Sequence, residues 1–393
     1  MYIWLALLIP ALSVGILALF FSHRTKWWEF GLPFLASLLL VGAAKAIAVA
    51  TMVHDTEIWN DYVVQAQYYE RWNEYIHQTC SFQTCSGSGQ NQVCTTHYYD
   101  CSYVANHPEH WVAVTAGKQD FSITQEKYQY FVKLFGSTPI FKDLARHYHS
   151  IDGDMYYTNW PRTVDTVEPV NTEHTYENRV QASRSVFNYE RISDDTAQAE
   201  GLFAYPKLQV FNYPSVLGNC GPDTKQADRL LSVQNALLGA KKELRMWLLC
   251  APTTDPTFGQ RQEAYWVGGN KNEVVVVVGL NEQKEVSWVH PFSWTKEREP
   301  LVEIRDSIPR GEPLNPVRLA SFMASQLEAK FTRRQFAEFD YLSVEPPTWA
   351  YILVFALTLG MNIGLGYFIV VNEFTEGNPT PSYRRGARRR NYR

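Results

Sequence analysis

Residues 2–21, YIWLALLIPALSVGILALFF, residues 31–53, GLPFLASLLLVGAAKAIAVATMV, and residues 349–371, WAYILVFALTLGMNIGLGYFIVV, decide the fold. The first has no charged side chain. At about 1.5 Å per residue it covers the roughly 30 Å hydrocarbon layer of a bilayer. It lacks a basic n-region and outlasts the apolar core of a signal peptide, so it reads as a retained span. The second run is interrupted only by Lys45, close enough to the outer end for its stem to carry the ammonium to the interface. The third contains Gly360-x-x-x-Gly364 with Gly366 beside it. That spacing lets another helix approach closely, either as a homo-oligomer face or as packing against spans one and two.

Basic residues set the orientation. Arg24 and Lys26 lie between spans one and two, and Arg384, Arg385, Arg388, Arg389, Arg390 and Arg393 follow span three. The positive-inside rule places both segments in the cytoplasm. The N-terminus is then outside, and residues 54–348 form a periplasmic or extracellular domain of a multi-pass protein of the cell (inner) membrane. The arginine-rich tail also suits contact with anionic lipid.

Composition agrees with anchored rather than dissolved. The mean hydropathy of −0.27 averages apolar ends with a polar centre. Residues 55–347 hold 27 Lys+Arg against 37 Asp+Glu, so no basic footprint for nucleic acid exists. All six cysteines, Cys80, Cys85, Cys94, Cys101, Cys220 and Cys250, fall in the region assigned outside the cytoplasm, where an even count favours disulfides. The first four lie in CSFQTCSGSGQNQVCTTHYYDC, whose polar centre reads as a turn between two extended arms. Cross-links there stabilise by about a few kcal/mol in total. Their pairing stays open, whereas Cys220 and Cys250 are expected to bridge each other. The rival is zinc, with His77, His97, His107 and His110 close by, but the paired CxxC knuckles of a zinc site are missing.

Six segments follow: a two-span hairpin, 1–53; a stalk and Cys-rich module, 54–110; a mixed α+β region, 111–222; an α/β sandwich, 223–342; a span, 349–371; and a basic tail, 372–393. Trp59, Tyr62, Tyr69 and Trp72 recur at roughly helical spacing, which predicts a helical stalk over His54–Gln78. Ser122 and Gln125 predict a capping box for a helix to Phe135, closed by Gly136. A helix from Asp223 precedes a buried strand, Leu244 to Cys250, and a second helix, Phe258 to Trp266, ends at Gly268-Gly269. Val274 to Val278 is too β-branched for a helix and reads as a central strand buried on both faces. A turn at Asn281–Lys284 then makes an antiparallel hairpin with 285–290. Asn315-Pro316 starts a last helix with Leu319, Phe322, Met323, Leu327 and Phe331 on one face. The order is α-β-α-β-β-α.

That succession, LRMWLLC…EAYWVGGNKNEVVVVVGLNEQKEVSWV, resembles the TPM domain, a membrane-tethered fold found outside the cytoplasm, over about residues 223–340. The resemblance implies either phosphatase chemistry or a part in assembling membrane complexes. The acidic metal-binding positions of phosphatase-type members are not evident. YYDCSYVANHPEHW with the three-span layout is also similar to membrane proteins of bacteria and their phages, a likeness that implies topology and no chemistry.

Catalytic fingerprints such as GxSxG, HExxH, a P-loop or a Rossmann turn are missing. His147 and His149, in LARHYHSIDGD, with Asp152 and Asp154 are a further candidate metal or hydrolytic cluster. His290 and Arg305 have no identifiable partner. The sequence thus predicts an integral membrane α-helical anchor carrying an α+β external domain without catalytic residues or cofactor. Its expected contacts are the bilayer and an envelope protein, and its work is binding or scaffolding. The alternative is a membrane-tethered, metal-dependent, phosphatase-like hydrolase.

Overall fold

Apolar runs at the chain ends and β-rich sequence between them produce two units in the computed structural model. It describes residues 2–21, 28–87, 93–144, 153–183, 189–207, 209–211, 213–344 and 346–372. Arg24, Lys26 and the six tail arginines lie outside the described residues, as do His147, His149 and Asp152. One unit is Met1–Asp55, Thr175–Asn188 and Phe336–Arg393; the other is Thr56–His174 and Tyr189–Gln335.

The helices are α1 (Leu8–Phe20), α2 (Gly31–Met52), α3 (Gln125–Phe135), α4 (Asp194–Ala199), α5 (Thr224–Lys242), α6 (Thr257–Tyr265), α7 (Glu299–Asp306), α8 (Pro316–Lys330) and α9 (Thr348–Asn372). The strands are β1 (His54–Tyr69), β2 (Trp72–Ile76), β3 (Thr79–Ser86), β4 (Val93–Asp100), β5 (Tyr103–His107), β6 (His110–Thr115) and β7 (Asp120–Ile123), then β8 (Ile140–Lys142), β9 (Met155–Asn159), β10 (Pro169–Glu177), β11 (Val216–Gly218), β12 (Arg245–Ala251), β13 (Glu273–Leu280) and β14 (Val286–Ser293).

In the first unit, Ile3–Phe20, Gly31–Met52 and Thr348–Val371 are long and apolar enough to cross a membrane. Most of their outward side chains are apolar, among them Leu12, Leu19, Leu39, Ile352 and Ile363, while Ser37, Thr358 and Asn362 are buried. Asn362 donates to Ser37 Oγ at 2.8 Å and to the Thr358 carbonyl at 2.8 Å, a polar tie between α9 and α2 of the sort that holds helices together in lipid. Lys45 sits with its Nζ 5.2 Å from the Trp4 ring centre. An ideal Cβ on Gly360, Gly364 or Gly366 meets nothing within 4 Å, so these glycines face away from the other two spans.

The second unit holds two larger sheets and two ribbons. One sheet runs β7-β6-β1-β9-β8, with β10 also on β1; Val63, Ala66 and Ala113 pack there on Tyr128, Phe131 and Phe135 of α3. The other runs β11-β12-β13-β14, parallel as far as β13 and antiparallel to β14. The five valines are fully buried and central, as their β-branched run predicts. Val274, Val276 and Val278 face α5, α7 and α8, and Val275 and Val277 face the α6 side with Trp247, Trp266 and Trp288. Because β11, β12 and β13 follow one another across the sheet, crossovers on opposite faces are of opposite hand, an uncommon arrangement.

Several expectations need correction. His54–Gln78 is not a helical stalk but strands β1 and β2. The sheet register of β1 shifts between Val63 and Gln65, so that buried Val63 and Ala66 stand three apart instead of two, a spacing that imitates a helix. The cap of α3 is Thr124, whose Oγ1 accepts from Lys127 N at 3.2 Å, while Ser122 belongs to β7 and pairs with Val112. Strand β11 and helix α7 add to the predicted α-β-α-β-β-α order. Arg305 does have a partner, Asp306, at 2.8 Å.

The two larger sheets meet at a buried charge pair. Arg245 and Glu273 stand opposite each other where β12 and β13 begin, both 0% exposed, with Nε 3.7 Å from Oε1. That oxygen also accepts from Trp247 Nε1 at 2.9 Å and Tyr205 Oη at 2.5 Å. Burial beside this carboxylate pushes the Tyr205 phenol well up, so it stays protonated. The guanidinium lies against the rings of Trp247 (4.1 Å) and Tyr213 (4.5 Å). Its Nη1 donates to Asn60 on β1 at 2.8 Å and to Asn171 on β10 at 3.4 Å. Breaking a buried pair strands a charge and costs about 3–5 kcal/mol, whereas removing both charges costs far less. Arg245→Met is therefore expected to lose about that much stability in denaturant unfolding. Arg245→Met with Glu273→Gln, which keeps the acceptor for Trp247 and Tyr205, should recover a measurable part. Equal losses in both variants would contradict the charge argument.

Candidate binding arm

Strand β1 does not turn directly into its partner β6. The chain between Tyr69 and His110 instead runs out through β2 and β3 and returns through β4 and β5. The register never slips: the pairs Tyr69↔His110, Trp72↔His107, Ile76↔Tyr103, Thr79↔Asp100 and Ser86↔Val93 show each joint using as many residues outward as inward. The result is one long jointed ribbon, with a contour of roughly 50 Å at about 3.3 Å per residue.

Its root and its upper joint are fixed by different means. At the root, Glu70 N donates to the Asp154 carbonyl at 2.9 Å. An ideal Cβ on Gly153 would stand 2.0 Å from the Glu70 carbonyl oxygen, so only glycine fits there. Part of the motif that suggested a metal cluster, Gly153-Asp154, thus clamps the arm. At the upper joint Cys101 N donates to the Gln78 carbonyl at 3.0 Å, and the Cys80–Cys101 disulfide bridges it. Cys85–Cys94 ties the outer ribbon across directly paired positions. A free two-stranded hairpin is marginal in water, so this ribbon depends on its cross-links. Cys220–Cys250 forms the third bridge, as expected, in the core of the four-stranded sheet.

All six cysteines are thus disulfide-bonded, which removes the thiolates a zinc site needs. The four histidines beside them do not converge. His107 stacks on Trp72 at 4.7 Å and meets Glu74 at 3.2 Å; His97 stacks on Phe82 at 5.1 Å and His110 on Tyr69 at 4.6 Å; His77 meets the edge of Tyr75. Among the described residues no group of three or more His, Cys, Asp or Glu is placed to hold a metal ion.

What the arm presents is aromatic and neutral. Phe82 is 52% and Tyr98 74% exposed, with Tyr75, Tyr99, Tyr103, Val93 and Val104 also open to solvent. From Trp72 to His107 the chain has no Lys, Arg or Pro, and only Glu74 and Asp100 as carboxylates. Tyrosine with Ser, Thr, Asn and Gln is the chemistry of adaptable recognition surfaces, and contiguous exposed apolar side chains mark contact sites. Sequence reasoning passed over these aromatics. The run of uncharged residues was the available signal.

A second polar cluster lies between α6 and β14. His290, for which the sequence offered no partner, places Nε2 2.7 Å from Glu263 Oε2, and Glu263 Oε1 accepts from Tyr189 at 3.1 Å. Burial and then the Glu263 charge push the Tyr189 phenol upward, so it stays protonated. Gly268, at φ +79°, leaves room for it, since an ideal Cβ there would stand 2.6 Å from Tyr189 Oη. The trio can orient an imidazole and hold a proton, but among the described residues no Ser, Thr or Cys hydroxyl or thiol is hydrogen-bonded to it for activation. A cavity of about 360 Å³ past the end of β12 is lined by Glu200, Thr253, Asp255, Phe258 and Arg261, and its one cation is already paired with Glu200 and Glu190.

No family model, curated protein or solved structure matches this chain.

Exposure orders the disulfides. Cys85 and Cys94 are exposed and Cys80 and Cys101 half-buried, whereas Cys220 and Cys250 are buried. Mild reduction of the folded protein followed by alkylation should label the four arm cysteines first and the core pair only on unfolding. Early labelling of Cys220 or Cys250, read by peptide mass spectrometry, would contradict this order.

Proposed function

We propose that this chain is a membrane-anchored, non-enzymatic protein that binds or scaffolds envelope partners through its disulfide-strapped arm. The observation that carries this reading is the arm itself: a pre-organised, nearly uncharged ribbon with aromatic side chains held open to solvent. Three helices fit to cross a membrane and three disulfides support an anchored domain in an oxidising, extracytoplasmic compartment. The sequence adds the orientation: N-terminus outside the cytoplasm of the cell (inner) membrane and basic tail within it. The uncovered glycines of α9 support a homo-oligomer contact through span three. The TPM likeness over residues 223–340 stays a proposal about fold, supported by the order of elements around the valine strand.

One observation favours the hydrolase alternative, the Tyr189, Glu263 and His290 trio. Tight stoichiometric metal in the purified protein, with phosphate-ester hydrolysis lost on chelation, would replace the first reading by the second.

Two experiments test the proposal. Crosslinking in native membranes followed by mass spectrometry should recover reproducible partners whose links map to residues 72–107; links scattered over the rest of the domain would remove the arm from the account. Alkaline phosphatase fused at residue 200 should be active and at residue 390 inactive. The reverse pattern would overturn the orientation.

A further inference from the structure

The charge distribution and the open strand edges together identify what fits the arm. Residues 55–347 carry 27 Lys+Arg against 37 Asp+Glu, so two copies of the domain bear the same net sign and repel each other at long range. The stretch from Trp72 to His107 contributes only Glu74 and Asp100 to that charge. It is where two copies can meet without opposing like charge.

The edges supply the means of contact. Strands β3 and β4 pair only with each other, so among the described residues each leaves its outer row of backbone N–H and C=O groups without a strand partner. Such edges are ordinarily guarded by lysine, proline or an inward charge. Here neither lysine nor proline occurs from Trp72 to His107. An edge strand is complementary to its own copy when two are laid antiparallel about a two-fold axis, and that closed pairing needs no foreign sequence. Phe82, His97, Tyr99 and Val93 share one face of the ribbon by register, so that face continues across the junction. The two disulfides hold the ribbon in its paired form beforehand, which lowers the ordering cost of contact. An eight-residue edge alone is a small interface; confinement of both copies to one membrane raises their effective concentration.

Resting on the arm as contact surface, we propose that its occupant is the arm of a second copy of this chain, joined edge to edge by added β-pairing.

The test uses the full chain in native membranes with a photo-crosslinking amino acid in place of Tyr98. Illumination should give a covalent dimer at twice the 45.2 kDa chain mass, with arm-to-arm peptides in the mass spectrum. Thr84→Lys with Thr96→Lys should cut the dimer yield by roughly tenfold through like-charge opposition. The control Thr84→Ser with Thr96→Ser should retain it. Formation of both arm disulfides, read by intact mass, shows that each variant has folded. A yield unmoved by the lysine pair overturns the proposal. An adduct with a different protein alone also overturns it while leaving the arm as a contact surface, and no adduct at all sinks both.

Discussion

A fully buried guanidinium is the constraint around which the rest of the large domain is arranged. Arg245 cannot lie at the base of a β-sheet without a counter-charge, and Glu273 on the neighbouring strand provides it. The carboxylate then needs donors, which Trp247, Tyr205 and the Asn270 backbone supply. The guanidinium needs acceptors, which come from another sheet through Asn60 and Asn171. Asn272 adds a bond to the Ile58 carbonyl at 2.7 Å. Gly239 completes the junction, because a Cβ there would stand 2.4 Å from the Asn60 carbonyl oxygen. One charge pair thus fixes the approach of a helix, two sheets and an aromatic cluster.

That rigid body contrasts with the arm. The core is secured by burial, with valines, leucines and tryptophans on both faces of a central strand. The arm buries little and is secured by covalent bonds. Each solution suits its position: the apolar core pairs its strands by burial, with Cys220–Cys250 as a single added cross-link, and a solvated ribbon cannot bury enough surface to hold itself. A ribbon held this way can keep its aromatic side chains exposed without collapsing onto its own domain.

Much of the fold was legible because local chemistry and tertiary context agreed. Five valines between turn residues could be little other than a buried strand, and Asn315-Pro316 began a helix where Asn315 Oδ1 accepts from Arg318 N at 2.9 Å. The hairpin of the first four cysteines was legible from its polar turn. Where a single irregularity intervened, the pattern misled. The bulge in β1 put buried residues three apart, and aromatic strand formers then passed for a helical stripe. The cap at Thr124 lay two residues from the one the pattern suggested, since Ser122 was already committed to a strand. Contacts between residues far apart in sequence, such as His290 with Glu263 or Arg245 with Asn60, leave no local trace. The arm was half legible. Its cysteines announced cross-links, while its aromatics signal contact only once they are seen to be exposed.

The unbroken register of the arm has a consequence for how such a protein can change. Outgoing and returning strands stay in step through two joints, and side chains alternate faces at every residue. An insertion on one strand alone would either be taken up as a bulge, as in β1, or shift every pair beyond it and part the cysteines that hold the tip. Lengthening or shortening this ribbon with its register intact therefore has to be symmetric, one residue out for each residue back. Keeping the same face outward further requires an even number on each side, so its reach is quantised.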